Sequence, residues 1–270
     1  MTAWTIAREE WRMAMRSKWL FSFALLFTLL AFIILFFGSQ NEFAGFNRTT
    51  ASLLNLSLFL IPLLTLLIGG LLFSGEKEDG RLALFMTYPI SSLSVMAGKF
   101  IGLFLSLASV LLIGYGFSYI LLSAIGETSF SMLALFLGLS LLLMMMYLSI
   151  ALFIGSLVSS RLMALGSAIF TWAFFVLFYE FIIMGLVTVT PPAWTLGILS
   201  LSVFLNPVEL IRVFTIIFLG SGTIFGPSIY DFTIWAESSA GTMMFAASCL
   251  AWTIIPIFIA NTKLKRGRNL

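Results

Sequence analysis

Few side chains in this sequence could do chemistry, and they are unevenly placed. Glu76, Lys77, Glu78, Asp79 and Arg81 crowd six positions between two long apolar runs, whereas Glu180 stands alone inside FVLFYEFIIMG. An isolated carboxylate is expensive to bury in an apolar run, so Glu180 must face protein, water or a proton. That makes Glu180 the candidate for a substrate path or gate. The competing reading is a protonated or hydrogen-bonded contact between helices. Met144, Met145 and Met146 offer soft donors, but three consecutive residues point in different directions around a helix, and methionine more often fills core. No metal site is expected.

Catalysis finds no constellation. There is no G-x-x-x-x-G-K-[ST] phosphate loop; the pair Gly98 and Lys99 is followed by Phe100 and lacks the upstream glycine. Histidine is absent, which removes Ser-His-Asp chemistry, and neither HExxH nor GxSxG occurs. A serine and lysine pair working within the membrane would need a lysine inside a span, and none is expected there. The chain is therefore expected not to be an enzyme, with no catalytic residue and no cofactor of its own. Its single cysteine, Cys249, excludes an internal disulfide.

The elements that position these residues follow from composition. Of 270 residues 61% are hydrophobic and 9% charged, and the mean hydropathy is +1.12, far outside the range of soluble domains. This predicts an all-α integral membrane protein. A spanning helix needs roughly 20 mostly apolar residues. Six stretches qualify, at about 19–38, 51–73, 100–125, 132–157, 164–187 and 241–260, in one transmembrane domain covering 1–270. The first follows a basic front like that of a signal peptide. It is nevertheless too long for one, and GSQNEF after it lacks a small-x-small cleavage site, so an uncleaved anchor is expected.

Basic residues orient the chain. With both termini cytoplasmic, the inside holds twelve: Arg8, Arg12, Arg16, Lys18, Lys77, Arg81, Lys99, Arg161, Lys263, Lys265, Arg266 and Arg268. The outside keeps two, Arg48 and Arg212. A seventh span through 194–220 would put the KLKRGR tail outside and is rejected. Localisation in the cell's inner (plasma) membrane, multi-pass, is the expectation.

Two further segments have local logic. Trp4 and Trp11 are seven residues apart, with Arg8, Arg12 and Arg16 in a stripe at i,i+4 spacing, which predicts an amphipathic helix along the inner interface. Its tryptophans would sit at headgroup depth and its arginines near anionic lipid. Before the last span, Asn206, Pro207 and Glu209 supply an N-cap, an N1 proline and an acidic N3 residue, so a helix carrying Arg212 starts there. With the apolar segment after Pro191 and Pro192 it reads as an external helical hairpin, on the outer surface or dipping into the membrane; a merely amphipathic loop is the alternative. Gly98 and Gly102 form a small-xxx-small pair suited to close helix packing, against lipid or within the chain.

The pattern SGEKEDGRLALFMTYPISSLSVMAGKFIG, after the second span, resembles the cytoplasmic loop of ABC-2 type permeases: an acidic cluster and glycine, an apolar helix ending in proline, then glycine-lysine opening the third span. Six spans, the amphipathic N-terminus and the external helices are similar to that family over nearly the whole chain. Within it, MTYP at 86–89, GKFIG at 98–102 and LNPVELIR at 205–212 resemble permeases that serve nitrous oxide reductase maturation. The resemblance implies a half-transporter: a second copy of the chain completes the path, and two separate ABC ATPase subunits carrying MgATP dock on the cytoplasmic side. It also implies an extracytoplasmic partner protein, with membrane lipids around the bundle and no nucleic acid.

The charged loop then acquires a role by resemblance. A short helix begins near Glu76 to Asp79, where acidic groups favour a helix N-terminus, and stops before Pro89. Past Gly80, its apolar face of Leu82, Leu84, Phe85 and Met86 would fit a groove in the ATPase, with Lys77, Glu78 and Arg81 among the charges that orient the contact. A surface helix capping the bundle is the alternative. The implied cargo is a small sulfur species or a copper-related assembly component. An ABC exporter of drugs, lipids or peptides remains open, as does a noncatalytic membrane scaffold for partner proteins.

Overall fold

The computed structural model describes residues 3–38, 48–82, 91–123, 130–226 and 230–267. Among them there is no strand. In chain order the helices are α1 (Ala3–Met15), α2 (Lys18–Gly38), α3 (Arg48–Glu78), α4 (Ser92–Ser123), α5 (Phe130–Leu157) and α6 (Arg161–Ala173). A π-helical turn (Phe174–Phe178) leads into α7 (Tyr179–Val189). Then come α8 (Pro192–Leu205), α9 (Pro207–Phe218), a 3-10 turn (Gly222–Phe225), α10 (Tyr230–Glu237) and α11 (Ser239–Gly267).

In hydrocarbon a backbone must satisfy its own polar groups, which is why these apolar runs fold as long helices. Among the described residues five units are long and apolar enough to cross a membrane: α3, α4, α5, the fifth span from α6 through α7, and α11. Two bent pairs would raise the number to seven if each counted as one span: α1 with α2, at 69°, and α8 with α9, at 108°. The region from 194 to 220, expected as a helical hairpin, is thus two helices meeting sharply at Asn206.

α5 is the central post, apolar all round as a buried helix must be. It packs on α3, α4 and α11, while α1 and α2 lie on α4, and α6 lies on α3. Of the most apolar part of α5, 67% is buried; of the fifth span, only 6%. The fifth span therefore presents its aromatic and aliphatic side chains, among them Phe170, Phe178, Phe181 and Met184, to whatever surrounds a single copy. In the core, Tyr115 ties three helices by sharing hydrogen bonds with Ser57 (2.6 Å) and Ser140 (3.0 Å). Met144 and Met146 are buried packing residues of α5.

Candidate functional site

Charge gathers at two places. The first lies where α3 ends, α4 begins and α1 crosses them. Glu76, Lys77 and Glu78 form the last turn of α3, and the chain then turns through Asp79 and Gly80, whose φ of +73° suits glycine. The acidic cluster therefore closes α3, and helical residues resume only at Arg81, later than the expected start near Glu76 to Asp79. α4 in turn begins at Ser92, so Lys99 stands two turns inside it and is 2% exposed, not in a loop at its mouth. Lys99 forms ion pairs with both Glu76 and Glu10, the latter from α1.

Small residues make that meeting geometrically feasible. A Cβ on Gly102 would lie 2.5 Å from both Ala7 O and Glu10 Cβ, and one on Gly98 would lie 2.7 Å from Ala3 O. The glycine pair is the saddle on which α1 rests, so its packing is within the chain. α1 turns Ile6, Ala7, Glu10 and Ala14 inward and leaves Trp4, Trp11, Arg8 and Arg12 exposed; Arg16, in the turn that follows α1, is exposed too. Glu10 went unnoticed in the sequence although it shares the i,i+4 stripe of Ile6 and Ala14. Burial pushes its carboxyl above the ordinary value; Lys99 opposes this, and Glu76 adds to it.

The remaining charges of the loop also turn toward the bundle. Lys77 Nζ donates to Ser156 O (3.1 Å) and Val158 O (2.8 Å), which satisfies carbonyls at the C-terminus of α5. Glu78 accepts from the Arg161 backbone N–H at 2.8 Å, and Asp79 pairs with the Arg161 guanidinium. These contacts anchor the start of α6, whose N-cap Ser160 accepts from the Met163 N–H at 3.3 Å. Arg81 reaches the Met13 sulfur at 3.8 Å. A cleft of about 400 Å³ opens here between α1 and α3, bordered by Glu10, Glu76, Asp79, Arg81 and Arg161. Leu82 is buried. Leu84, Phe85, Met86 and Pro89 lie outside the described residues.

The second cluster centres on Glu180. It sits in the first turn of α7, directly beyond the π turn. Asn206 caps α9 by accepting from the Val208 N–H at 2.9 Å, Pro207 takes the first helical position, and Glu209 follows in the first turn. One turn later Arg212 pairs with Glu180 across the gap between α7 and α9. It also lies 3.0 Å from Glu209 Oε1, off the hydrogen-bond direction: among the described residues, Glu209 Oε1 and Arg212 Nε have no hydrogen-bond partner. Two carboxylates thus share one guanidinium. They border a cleft of about 400 Å³ whose walls are mostly apolar, including Ile183, Met184, Val203, Val213 and Phe232. Tyr179, a lining residue the sequence did not single out, donates through its hydroxyl to Ser202 O at 2.8 Å.

Neither cluster carries a set of groups that could bind a metal ion: no three His, Cys, Asp or Glu side chains converge among the described residues. Long apolar helices packed around a central post define a multi-span α-helical membrane protein. The chain belongs to the ABC-2 family of transporter proteins, whose sequence pattern matches residues 4–266. It is similar to the probable ABC transporter permease protein NosY of Pseudomonas aeruginosa, with 35% identity covering 78% of this chain and 80% of that protein. It is similar also to the probable ABC transporter permease protein NosY of Stutzerimonas stutzeri, at 30% identity over 97% of this chain and 98% of the relative. Permeases of this family are non-catalytic membrane subunits that work with ATPase subunits.

Proposed function

We propose that two copies of this chain form the membrane path of an ATP-driven transporter, with two MgATP-binding subunits docking on its cytoplasmic face through residues 76–89. The weakly covered fifth span supports the pairing: an apolar face of that length, carrying Glu180 at one edge, suits a second copy better than lipid alone. Glu180, which lines a cleft beside that face, and Arg212, which pairs with it, are the path or gate residues of this reading.

The likeness to two NosY permeases supports a role in nitrous oxide reductase maturation. The cargo would be a small sulfur species or a copper-related assembly component, handed to an extracytoplasmic partner. Native mass spectrometry of the permease purified with its ATPase tests the assembly. Two copies of each are expected, and ATP-driven transport by a permease monomer would overturn the reading. Phe85→Asp tests the docking segment: a charge in an apolar groove is expected to cost about 2–5 kcal/mol of contact and to abolish ATPase pull-down at normal membrane expression. Full retention of the ATPase with normal function would remove residues 76–89 from that role.

A further inference from the structure

The fifth span contains one irregular turn, and its freed carbonyl is occupied from another helix. The Tyr179 N–H bonds back five residues to Phe174 O instead of four to Phe175 O. Phe175 O instead accepts from Asn206 Nδ2 at 2.8 Å. The Oδ1 of the same amide caps α9. The Phe175 ring is held edge-on by Tyr147 of α5 and Trp252 of α11, with centroids at 6.3 and 5.7 Å.

We propose that Asn206 is a positioning residue that holds the π turn open and thereby aims Glu180 at Arg212. The geometry follows from helix periodicity. In an unbroken α-helix, a residue eleven places after Ala168 would point within about 20° of it, because eleven steps of ~100° make about three turns. Ala168 is buried on the side where α6 packs against α3. Tyr179, eleven places on, instead reaches Ser202 of α8, and Glu180 reaches Arg212 of α9. One turn holding an extra residue sets everything beyond it back by about one residue, or ~100°, which turns Tyr179 and Glu180 off the Ala168 face.

Closing that turn would take the Phe175 carbonyl from Asn206 and swing Glu180 away from Arg212. Asn206 therefore couples three things through one amide: the register of α7, the start of α9, and the carboxylate and guanidinium that each helix carries. The functional weight of this device rests on the assignment of Glu180 and Arg212 to the path or gate, but its geometry is testable without transport.

Glu180→Cys and Arg212→Cys, placed together in a Cys249→Ser chain co-expressed with its ATPase, are to be linked in membranes by a short bis-methanethiosulfonate reagent. Asn206→Asp keeps an oxygen to cap α9 but has no N–H for Phe175 O. It is expected to lower cross-linking at least fivefold. Deleting Val176 removes the extra residue, so the regular helix again points position 180 toward α9; this deletion is expected to cross-link like the parent and to restore cross-linking in the Asn206→Asp chain. Parental cross-linking by Asn206→Asp, or loss of cross-linking in the deletion alone, would overturn the proposal. A wrong assignment of the gate would instead leave these cross-links as expected and show as undiminished transport in Glu180→Gln.

Discussion

Lys99→Met isolates the ion triad that joins α1, α3 and α4. Lys99 is 2% exposed, and the Glu10 and Glu76 side chains are 7% and 12% exposed, so little water is present to screen what remains when the ammonium is removed. Removing one partner of a buried ion pair costs about 3–5 kcal/mol, roughly a hundred- to several-thousand-fold in the folded-to-unfolded ratio. Methionine approximates the lysine stem, so lost packing contributes little. The loss should depend on pH. Glu10 already titrates above its ordinary 4.5 when folded, so the folded state holds that proton more tightly than the unfolded chain. Stability on this account falls as pH rises from the unfolded value through the folded one.

Without Lys99 the upward shift grows, because the opposing charge is gone while Glu76 stays. The deficit of Lys99→Met should therefore be larger at about pH 8 than at about pH 5, because lower pH favours the protonated Glu10 carboxyl. Adding Glu76→Gln should recover part of the loss, since coupled residues are not additive. Unfolding by denaturing detergent, followed by tryptophan fluorescence at both pH values, measures it. A Lys99→Met protein within about 0.5 kcal/mol of wild type at the higher pH, or an equal deficit at both, would refute the reasoning.

Three other outcomes are expected. Gly102→Ala places a Cβ against backbone and should cost about 1–3 kcal/mol and loosen α1, read as faster proteolysis of the N-terminus, whereas Gly70→Ala, with open space around it, should change little. Asp79→Asn breaks a half-exposed pair with Arg161 and should cost at most about 1 kcal/mol, far less than Glu76→Gln; the reverse order in a detergent unfolding series would contradict the geometry. Glu180→Gln should preserve assembly with the ATPase yet impair ATP-driven transport, and full activity at every pH would make the contact with Arg212 purely structural.

What the sequence determined is what local chemistry determines. Apolar content beyond any soluble domain made the chain a helical membrane protein, the tryptophan and arginine spacing made α1 amphipathic, and Asn206 with Pro207 and Glu209 marked the start of α9. Each of these signals lies within a few residues of its effect. The same locality misplaced the cluster at residues 76–79: acidic groups favour a helix start, but here they close α3, because Lys77 caps α5 while Lys99 and Arg161 arrive from elsewhere to neutralise them. Lys99 meets a carboxylate 89 residues away, Arg212 meets one 32 away, and Asn206 takes a carbonyl 31 away. Which cation answers which carboxylate depends on where helices cross and how they are rotated, and that is settled by the glycine saddle under α1 and one extra residue in the fifth span. No local periodicity records either, because both are properties of packed helices and not of any one of them.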